Sequence, residues 1–546
     1  MEEEIIEKTV KKRKPIRIWK VCLGIVLLIL VVMLRDVRLW SKRVFGKVPF
    51  EQVVYHMNAP LEGTDSTIVT DYFSTVVLDL VLLAAFLFVF FLPDFVVFLF
   101  KFVQKDSGTD RIEVQNQNEC KSKNSFLCKT VSVFAKIRQQ LVRLLPLFSG
   151  IILLGVLIVD LRWFGVFPWL KNQLQSSSVY EEYFVDSAEV KIIPPEQKKN
   201  LIIIVSESLE ATYGGLENGG TSTEELVPNL TKLAKDNTHF SRNSNLIGAL
   251  QVSGTEWTMA GLVAYTSGIP LAIPFERNTV NFREQFLPGV TTLGEILEEN
   301  GYVNEMIMES KKKFGGMDTY FEKHGNYNMV DLDFALLNAY IDEANDFWGY
   351  DDKSLFRIAR ERIAKAAETE QPFHFILNTI DLHSPDGFRC DLCQTKYTDS
   401  VGGELGQYMD VICCQDRQIA DFIDWCKMQD FYEDTVIVVV GDHTSMAALV
   451  EEEMIPSGYE RTVYNVIINS DLEPSNTSNR YFTTMDMFPT ILASLGFQIE
   501  GDRLGIGTNL YSGKETVTEQ MGIEKYRKEI AKNSRKYNRT ILKRKK

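Results

Sequence analysis

Asp442 and His443 directly follow Val436-Ile437-Val438-Val439-Val440-Gly441, a β-branched apolar run that stops at a glycine. Such a run reads as a buried parallel strand, and ligands of α/β sheets gather just outside the carboxyl ends of such strands. A carboxylate and an imidazole at that edge offer one hard oxygen and one borderline nitrogen to a divalent metal. The competing reading is a turn whose aspartate caps a helix, and the pair alone is weak evidence. A second run of the same design, Leu201-Ile202-Ile203-Ile204-Val205, leads into Ser206-Glu207-Ser208. In a third stretch, Val252-Ser253-Gly254-Thr255-Glu256-Trp257-Thr258-Met259-Ala260-Gly261-Leu262, Ser-Gly-Thr stands where a helix should begin. A threonine there is usually an N-cap, yet the same place exposes backbone N–H groups and suits a phosphorylated oxygen. Glu207, Thr255, Asp442 and His443 are therefore the expected ligands of one metal ion, with Thr255 Oγ as a metal-activated nucleophile.

In this order these residues resemble the alkaline phosphatase/sulfatase superfamily. Within it they look most like the membrane-bound lipoteichoic acid synthases and the phosphoglycerol transferases that decorate periplasmic glucans. Gly254-Thr255-Glu256-Trp257-Thr258 through Ser267-Gly268-Ile269-Pro270-Leu271 is similar to the glucan phosphoglycerol transferases, as are Thr379-Ile380-Asp381-Leu382-His383-Ser384-Pro385 and Leu504-Gly505-Ile506-Gly507-Thr508-Asn509-Leu510. The resemblance runs from about Leu201 to about Ser512. It implies phosphatidylglycerol as donor, a glycan hydroxyl as acceptor, Mn²⁺ as the metal with Mg²⁺ or Zn²⁺ as alternatives, and a phosphoglyceryl intermediate on Thr255. His383 would protonate a leaving oxygen or hold the phosphate. Trp257 and Lys311 join His383 as expected substrate-binding residues, although Lys311-Lys312-Lys313 reads more readily as a solvated loop. The rivals are a phosphoethanolamine transferase, a metal-dependent phosphodiesterase, and a metal-stabilised scaffold without activity.

Two departures narrow the resemblance. Formylglycine sulfatases need Cys or Ser with Pro two positions on and Arg four positions on; here Thr255 is followed by Trp257 and Met259, which argues against sulfate-ester hydrolysis. The synthases carry a Phe-Trp-Asn-Arg segment whose Trp and Arg hold glycerol phosphate, and Phe314-Gly315-Gly316-Met317 keeps only the Phe. Of the other histidines, His374 reads as a satisfied core residue and His56, His239 and His324 as surface or packing residues.

The elements that must position these residues divide the 546-residue chain. A formal charge of −14 disfavours nonspecific nucleic-acid binding. Residues 1–170 read as a membrane domain with about three transmembrane helices. Ile16 to Leu34 follows Lys11, Lys12, Arg13 and Lys14 as an uncleaved signal anchor. Val76 to Phe100 is a second span, which Pro93-Asp94 should kink or end, and Leu144 to Phe167 is a weaker third, interrupted by Asp160 and Arg162. Lys101, Lys105, Arg111, Lys121, Lys123 and Lys129 after the second span, with the basic N-terminus, place both on the inside. Everything after about Leu170 then lies outside the cytoplasm of a bacterial inner membrane.

Beyond a juxtamembrane linker (171–199), residues 200–514 alternate strand-like and helical patterns. This predicts an α/β domain, a mostly parallel sheet covered by helices, with strands at Met306 to Met308, Phe373 to Thr379, Val436 to Val440 and Val463 to Ile468. Val290 to Asn300 is an expected helix capped by Thr291 or Thr292. Cys390 or Cys393 is expected to pair with Cys413 or Cys414 in an oxidising compartment, with a zinc ribbon as the competing reading and Cys426 as a core thiol. Residues 515–546 read as a basic, solvated tail.

Overall fold

The computed structural model of the protein describes residues 18–64, 66–106, 125–273 and 285–543. The expected roles of Lys11, Lys12, Arg13, Lys14, Arg111, Lys121 and Lys123 fall outside these residues. The chain divides into two compact units, Met1–Trp40 with Val69–Trp163, and Ser41–Ile68 with Phe164–Lys546.

Among the described residues, three helices long and apolar enough to cross a membrane run through Ile18–Phe45, Thr67–Leu92 and Gln140–Trp163. They belong to α1 (Ile18–Phe45), α3 (Ser66–Asp106) and α4 (Ser125–Trp163); a short helix, α2 (Phe50–His56), lies between the first two. At Pro93-Asp94, expected to kink or end the second span, the apolar span stops at Leu92 while the helix itself continues to Asp106. A proline deletes one bond of the helical ladder, and in a long apolar helix the bonds on either side suffice to carry it through. Two of the carboxylates that interrupt the spans, Asp79 and Asp160, are matched inside the unit: Arg35 pairs with Asp36 and Asp79, and Arg38 Nε lies 2.6 Å from Asp160 Oδ1. Pairing is what makes such residues tolerable in an apolar medium.

The second unit is built on a six-stranded sheet. Its strands are β1 (Asn200–Ser206), β2 (Val303–Met308), β3 (Asn328–Val330), β4 (Phe373–Asn378), β5 (Thr435–Gly441) and β6 (Asn465–Ile468). They lie in the order β3-β2-β4-β1-β5-β6, and every pair is parallel except β5 with β6. Ile203 sits between Ile376 and Val438. Both faces are covered, which is why β1 and β5 carry unbroken apolar runs. Leu201, Ile203 and Val205 pack with Met259 and Leu262 of α5 (Thr258–Ser267). Ile202 and Ile204 pack on the other face with Leu355 of α7 (Asp352–Ala367) and Ile419 of α8 (Gly403–Lys427). Between them in sequence, α6 (Leu293–Glu299) starts at Thr292, whose side chain and that of Glu295 form a capping box. Val463 falls outside the main sheet, in a short pairing of Thr462 and Val463 with Leu250 and Ala249.

Two expected boundaries move. Linker residues Ile192 and Ile193 pair with Ile499 and Gln498, so part of 171–199 is built into the domain. The expected solvated tail folds as α9 (Val517–Met521), α10 (Ile523–Ile530) and α11 (Arg535–Thr540). Tyr526, Ile530 and Tyr537 are buried, and Tyr537 Oη donates to the Pro270 carbonyl at 3.0 Å. The domain therefore extends well beyond residue 514; a few apolar side chains at helical spacing anchor a segment whose other face is basic. A disulfide joins Cys393 to Cys414, with Cys390 Sγ 3.6 Å from Cys393 Sγ, and Cys426 is a buried thiol.

The segment Ser41–Ile68, which precedes the second apolar helix, packs in one unit with the domain that follows the third.

Candidate metal centre

Ser206 pairs with Gly441 in the parallel register of β1 and β5, so the residues that follow these strand ends emerge side by side. Glu207, Asp442 and His443 each present a ligand atom, all three within 4.8 Å of one another and all buried. His443 Nε2 is 3.2 Å from Asp442 Oδ2 and 3.7 Å from Glu207 Oε1. The other ring nitrogen, Nδ1, lies 2.9 Å from the Thr444 carbonyl, which accepts only if Nδ1 carries the proton. That bond assigns the tautomer and leaves the Nε2 lone pair facing the carboxylates.

The carboxylates are held from behind. Asp442 Oδ1 accepts from Ser208 N at 2.8 Å and His443 N at 2.7 Å, whereas its buried Oδ2 has no hydrogen-bond partner. Ser208 Oγ donates to Glu207 Oε1 at 2.6 Å, and Glu207 N donates to Thr379 Oγ1 at 3.0 Å. Burial, with the Glu207 charge added, pushes the Asp442 pKa up to about 7. Burial works against a charged His443, yet Asp442 and Glu207 carry its pKa above the ordinary value. An orphaned buried oxygen, a second facing carboxylate and an imidazole lone pair form a donor set that fits a divalent cation.

Thr255 does not join this group. Its Oγ1 donates to the Val252 carbonyl at 2.8 Å and accepts from Val252 N at 3.1 Å, closing a turn in the interior. The hydroxyl that meets the ligands is Thr258, whose Oγ1 lies 3.3 Å from His443 Nε2 and 3.4 Å from Glu207 Oε2. The expectation placed the helix start at Thr255, but Gly254 takes a positive φ, Trp257 stays extended, and α5 begins at Thr258. The helix also lies hard against the ligand strand: a Cβ on Gly261 would come within 2.4 Å of the Asp442 carbonyl oxygen. Thr258 and Gly261 share a face at helical spacing, a signal present in the sequence that distinguishes Thr258 from Thr255.

His383 follows β4 at the same edge of the sheet, with Nδ1 2.9 Å from the Ser384 carbonyl and its ring 4.5 Å from that of Trp348. Trp257 is a core residue at 2% exposure, its ring packed on Tyr55. Lys311 pairs with Asp333, Lys312 with Glu322 and Lys313 with Glu62. Sequence reasoning missed Arg461, which bonds Glu210 at 2.8 Å and the Ser445 carbonyl at 2.7 Å, behind the loop that carries His443. Trp348, whose ring meets His383, has no local signature in the sequence. His374 and His239 are buried and His324 donates or accepts at both ring nitrogens, in keeping with packing roles.

Residues 199–497, more than half of the chain, match the Sulfatase family, and the chain belongs to that family. It is 32% identical over 323 residues to Phosphoglycerol transferase I of Salmonella choleraesuis (strain SC-B67), a match that takes in 59% of this chain and 40% of that protein. The chain thus spans about two fifths of the length of the curated relatives it matches. Among solved structures it is similar to the lipoteichoic acid synthase LtaP from Listeria monocytogenes, with 19% identity, a TM-score of 0.47, and coverage of 61% of this chain and 81% of that one. It is also similar to the lipooligosaccharide phosphoethanolamine transferase EptA from Neisseria meningitidis, with 14% identity, a TM-score of 0.49, and coverage of 87% and 84%.

Proposed function

We propose that the protein is a membrane-anchored transferase that moves phosphoglycerol from phosphatidylglycerol to a sugar hydroxyl of a cell-envelope glycan, with Thr258 as the nucleophile. The observation that carries this is the Thr258 hydroxyl at the first position of α5, within 3.4 Å of Glu207 and His443. The phosphoglycerol transferase relatives support the choice of headgroup. A divalent cation held by Glu207, Asp442 and His443, Mn²⁺ first with Mg²⁺ or Zn²⁺ as alternatives, would supply Lewis acidity to the phosphoryl group and to the attacking hydroxyl.

The chain's own groups divide the rest of the work. Thr258 Oγ forms a bond to the donor phosphorus as the bond to the diacylglycerol oxygen breaks, and that oxygen takes up a proton. The free N–H groups at the start of α5 face the negative charge that gathers on the phosphoryl oxygens. His383 binds the phosphate or donates the proton to the leaving oxygen. In the second half a sugar hydroxyl attacks the phosphorus as the bond to the Thr258 oxygen breaks, and the proton the sugar hydroxyl gives up balances the one that restores the Thr258 hydroxyl. The catalytic domain works outside the cytoplasm, on the face of the inner membrane where Ser41–Ile68 also lies.

The test is to incubate the detergent-purified chain with headgroup-labelled phosphatidylglycerol or phosphatidylethanolamine and to map the label by mass spectrometry. A phosphoglyceryl adduct on the Thr258 peptide is expected. An ethanolamine adduct would reassign the headgroup, and release of free glycerol phosphate with no dependence on a sugar acceptor would make the protein a hydrolase.

A further inference from the structure

The short helix α2 lies between the first two apolar helices in sequence, yet it is fastened to the segments that carry the site. Ser253 Oγ donates to Glu51 Oε1 at 3.4 Å, close to Thr255 and Thr258 in the chain. The Tyr55 ring packs on Trp257, the residue before Thr258, with centroids 5.5 Å apart. Tyr55 Oη donates to the Gly315 carbonyl, and Gly315 N donates to the Pro60 carbonyl at 3.0 Å. Just upstream, Lys47 and Pro49 line a cleft together with Glu256 and Thr444.

These attachments deliver His56 to the neighbourhood of His383. The His56 ring stacks on Phe314 with centroids 5.8 Å apart and planes at 29°; Phe314 meets Trp348 at 5.2 Å, and Trp348 meets His383 at 4.5 Å. His56 is half-buried, and among the described residues neither of its ring nitrogens has a hydrogen-bond partner. Burial, and the opposing charge that His383 would carry, hold its pKa down to about 4. It therefore meets a ligand as a neutral imidazole with one N–H to give. A half-buried imidazole with no protein partner among the described residues can give a hydrogen bond to an anion's oxygen. Neither candidate metal-ligand group among the described residues includes His56 or His383.

We propose that His56 is a substrate-contacting residue, which with His383 binds the nonbridging phosphoryl oxygens of the donor phosphodiester across the Phe314–Trp348 aromatic pair. The proposal rests on the phosphoglycerol-transfer reading for the donor's identity; the phosphoryl contact itself does not. The catalytic site then includes a residue from the loop between the first two apolar helices. A domain cut out at residue 200 would lack it.

The experiment uses the full chain in detergent, with His56→Phe, which keeps the stacked ring and removes both nitrogens, and His56→Gln, which restores an N–H donor without the ring. The KM and kcat for phosphatidylglycerol in mixed micelles and the Kd for inorganic phosphate by calorimetry are measured on each. His56→Phe is expected to raise the donor KM and the phosphate Kd by about tenfold or more, the worth of one hydrogen bond to a charged group, with kcat less affected and metal content unchanged. His56→Gln should recover a substantial part. A donor KM within about twofold of the parent in His56→Phe would overturn the proposal, because loss of packing alone would be seen in His56→Gln. A weaker phosphate Kd with an unchanged donor KM would assign the contact to free phosphate and overturn the donor contact. If the parent forms no adduct from phosphatidylglycerol, the functional reading fails while the phosphate Kd still decides the role of His56.

Discussion

Thr255 and Thr258 are three positions apart, and the difference between them is where each hydroxyl spends its hydrogen bonds. Thr255 Oγ1 is committed to Val252 on both its donor and acceptor sides, whereas Thr258 Oγ1 faces His443 and Glu207. Thr258→Ala is expected to lower turnover by at least about a thousandfold, the scale of losing a nucleophile. Thr255→Ala should keep the chemistry and cost about 1 kcal/mol in stability through its lost turn bond. Labelled-donor turnover and thermal unfolding of both variants check this, and a dead Thr255→Ala beside an active Thr258→Ala would reverse the assignment. Asp442 sets a second expectation at this scale. Its pKa in the folded, metal-free site is raised to about 7, above the unfolded value, so its contribution to stability is fully present at low pH and is lost as pH rises through about 7. His443, also raised, adds a loss of the same sign. A metal that binds the deprotonated carboxylate reverses the trend, and its affinity should strengthen between about pH 6 and pH 8 with release of protons. Calorimetry with Mn²⁺ in buffers of different ionisation heat measures both; affinity independent of pH over that range would refute it.

At the scale of elements, β1 and β5 were legible because a covered parallel strand writes itself as an unbroken β-branched run. Their ends were legible for the same reason, since Glu207 and the Asp442-His443 pair are the first ionisable residues after each run. The C-terminal helices were not, because basic residues dominate α10 and α11 and only Tyr526, Ile530 and Tyr537 turn inward. Removing residues 515–546 should expose the core that these side chains cover, each worth about 1.5–3 kcal/mol of burial. The expected result is a chain that purifies aggregated or melts markedly lower. A truncated chain with the parent's melting temperature would restore the view of this segment as a solvated tail.

On the scale of the whole molecule, Ser41–Ile68 and the domain after Phe164 form one unit although two long apolar helices separate them in sequence. Two crossings between them satisfy this. Met57 and Leu174 are both exposed, at 74% and 89%, and offer reporters on either side of those helices. Met57→Cys and Leu174→Cys, each read over the parent background, should both react with a membrane-impermeant maleimide added to intact cells with a permeabilised outer envelope. Reaction of one from outside and the other only after lysis would rule out two crossings between them.

The amino-acid order by itself determined what depends on neighbours along the chain. The alternation that makes a covered parallel sheet, the candidate metal-binding residues that close two of its strands, the three apolar helices and the candidate cysteines are all written locally, because period, branching and punctuation act over a few residues. Tertiary structure alone decided which threonine faces the ligands, since one helical turn of offset depends on where α5 can begin against Asp442. It also decided that Trp348 stands beside His383, that His56 stacks on Phe314, and that Tyr526 and Tyr537 are interior. Those placements arise from packing between segments far apart in the chain, and the free energy of such contacts leaves no periodic trace in the order of the residues.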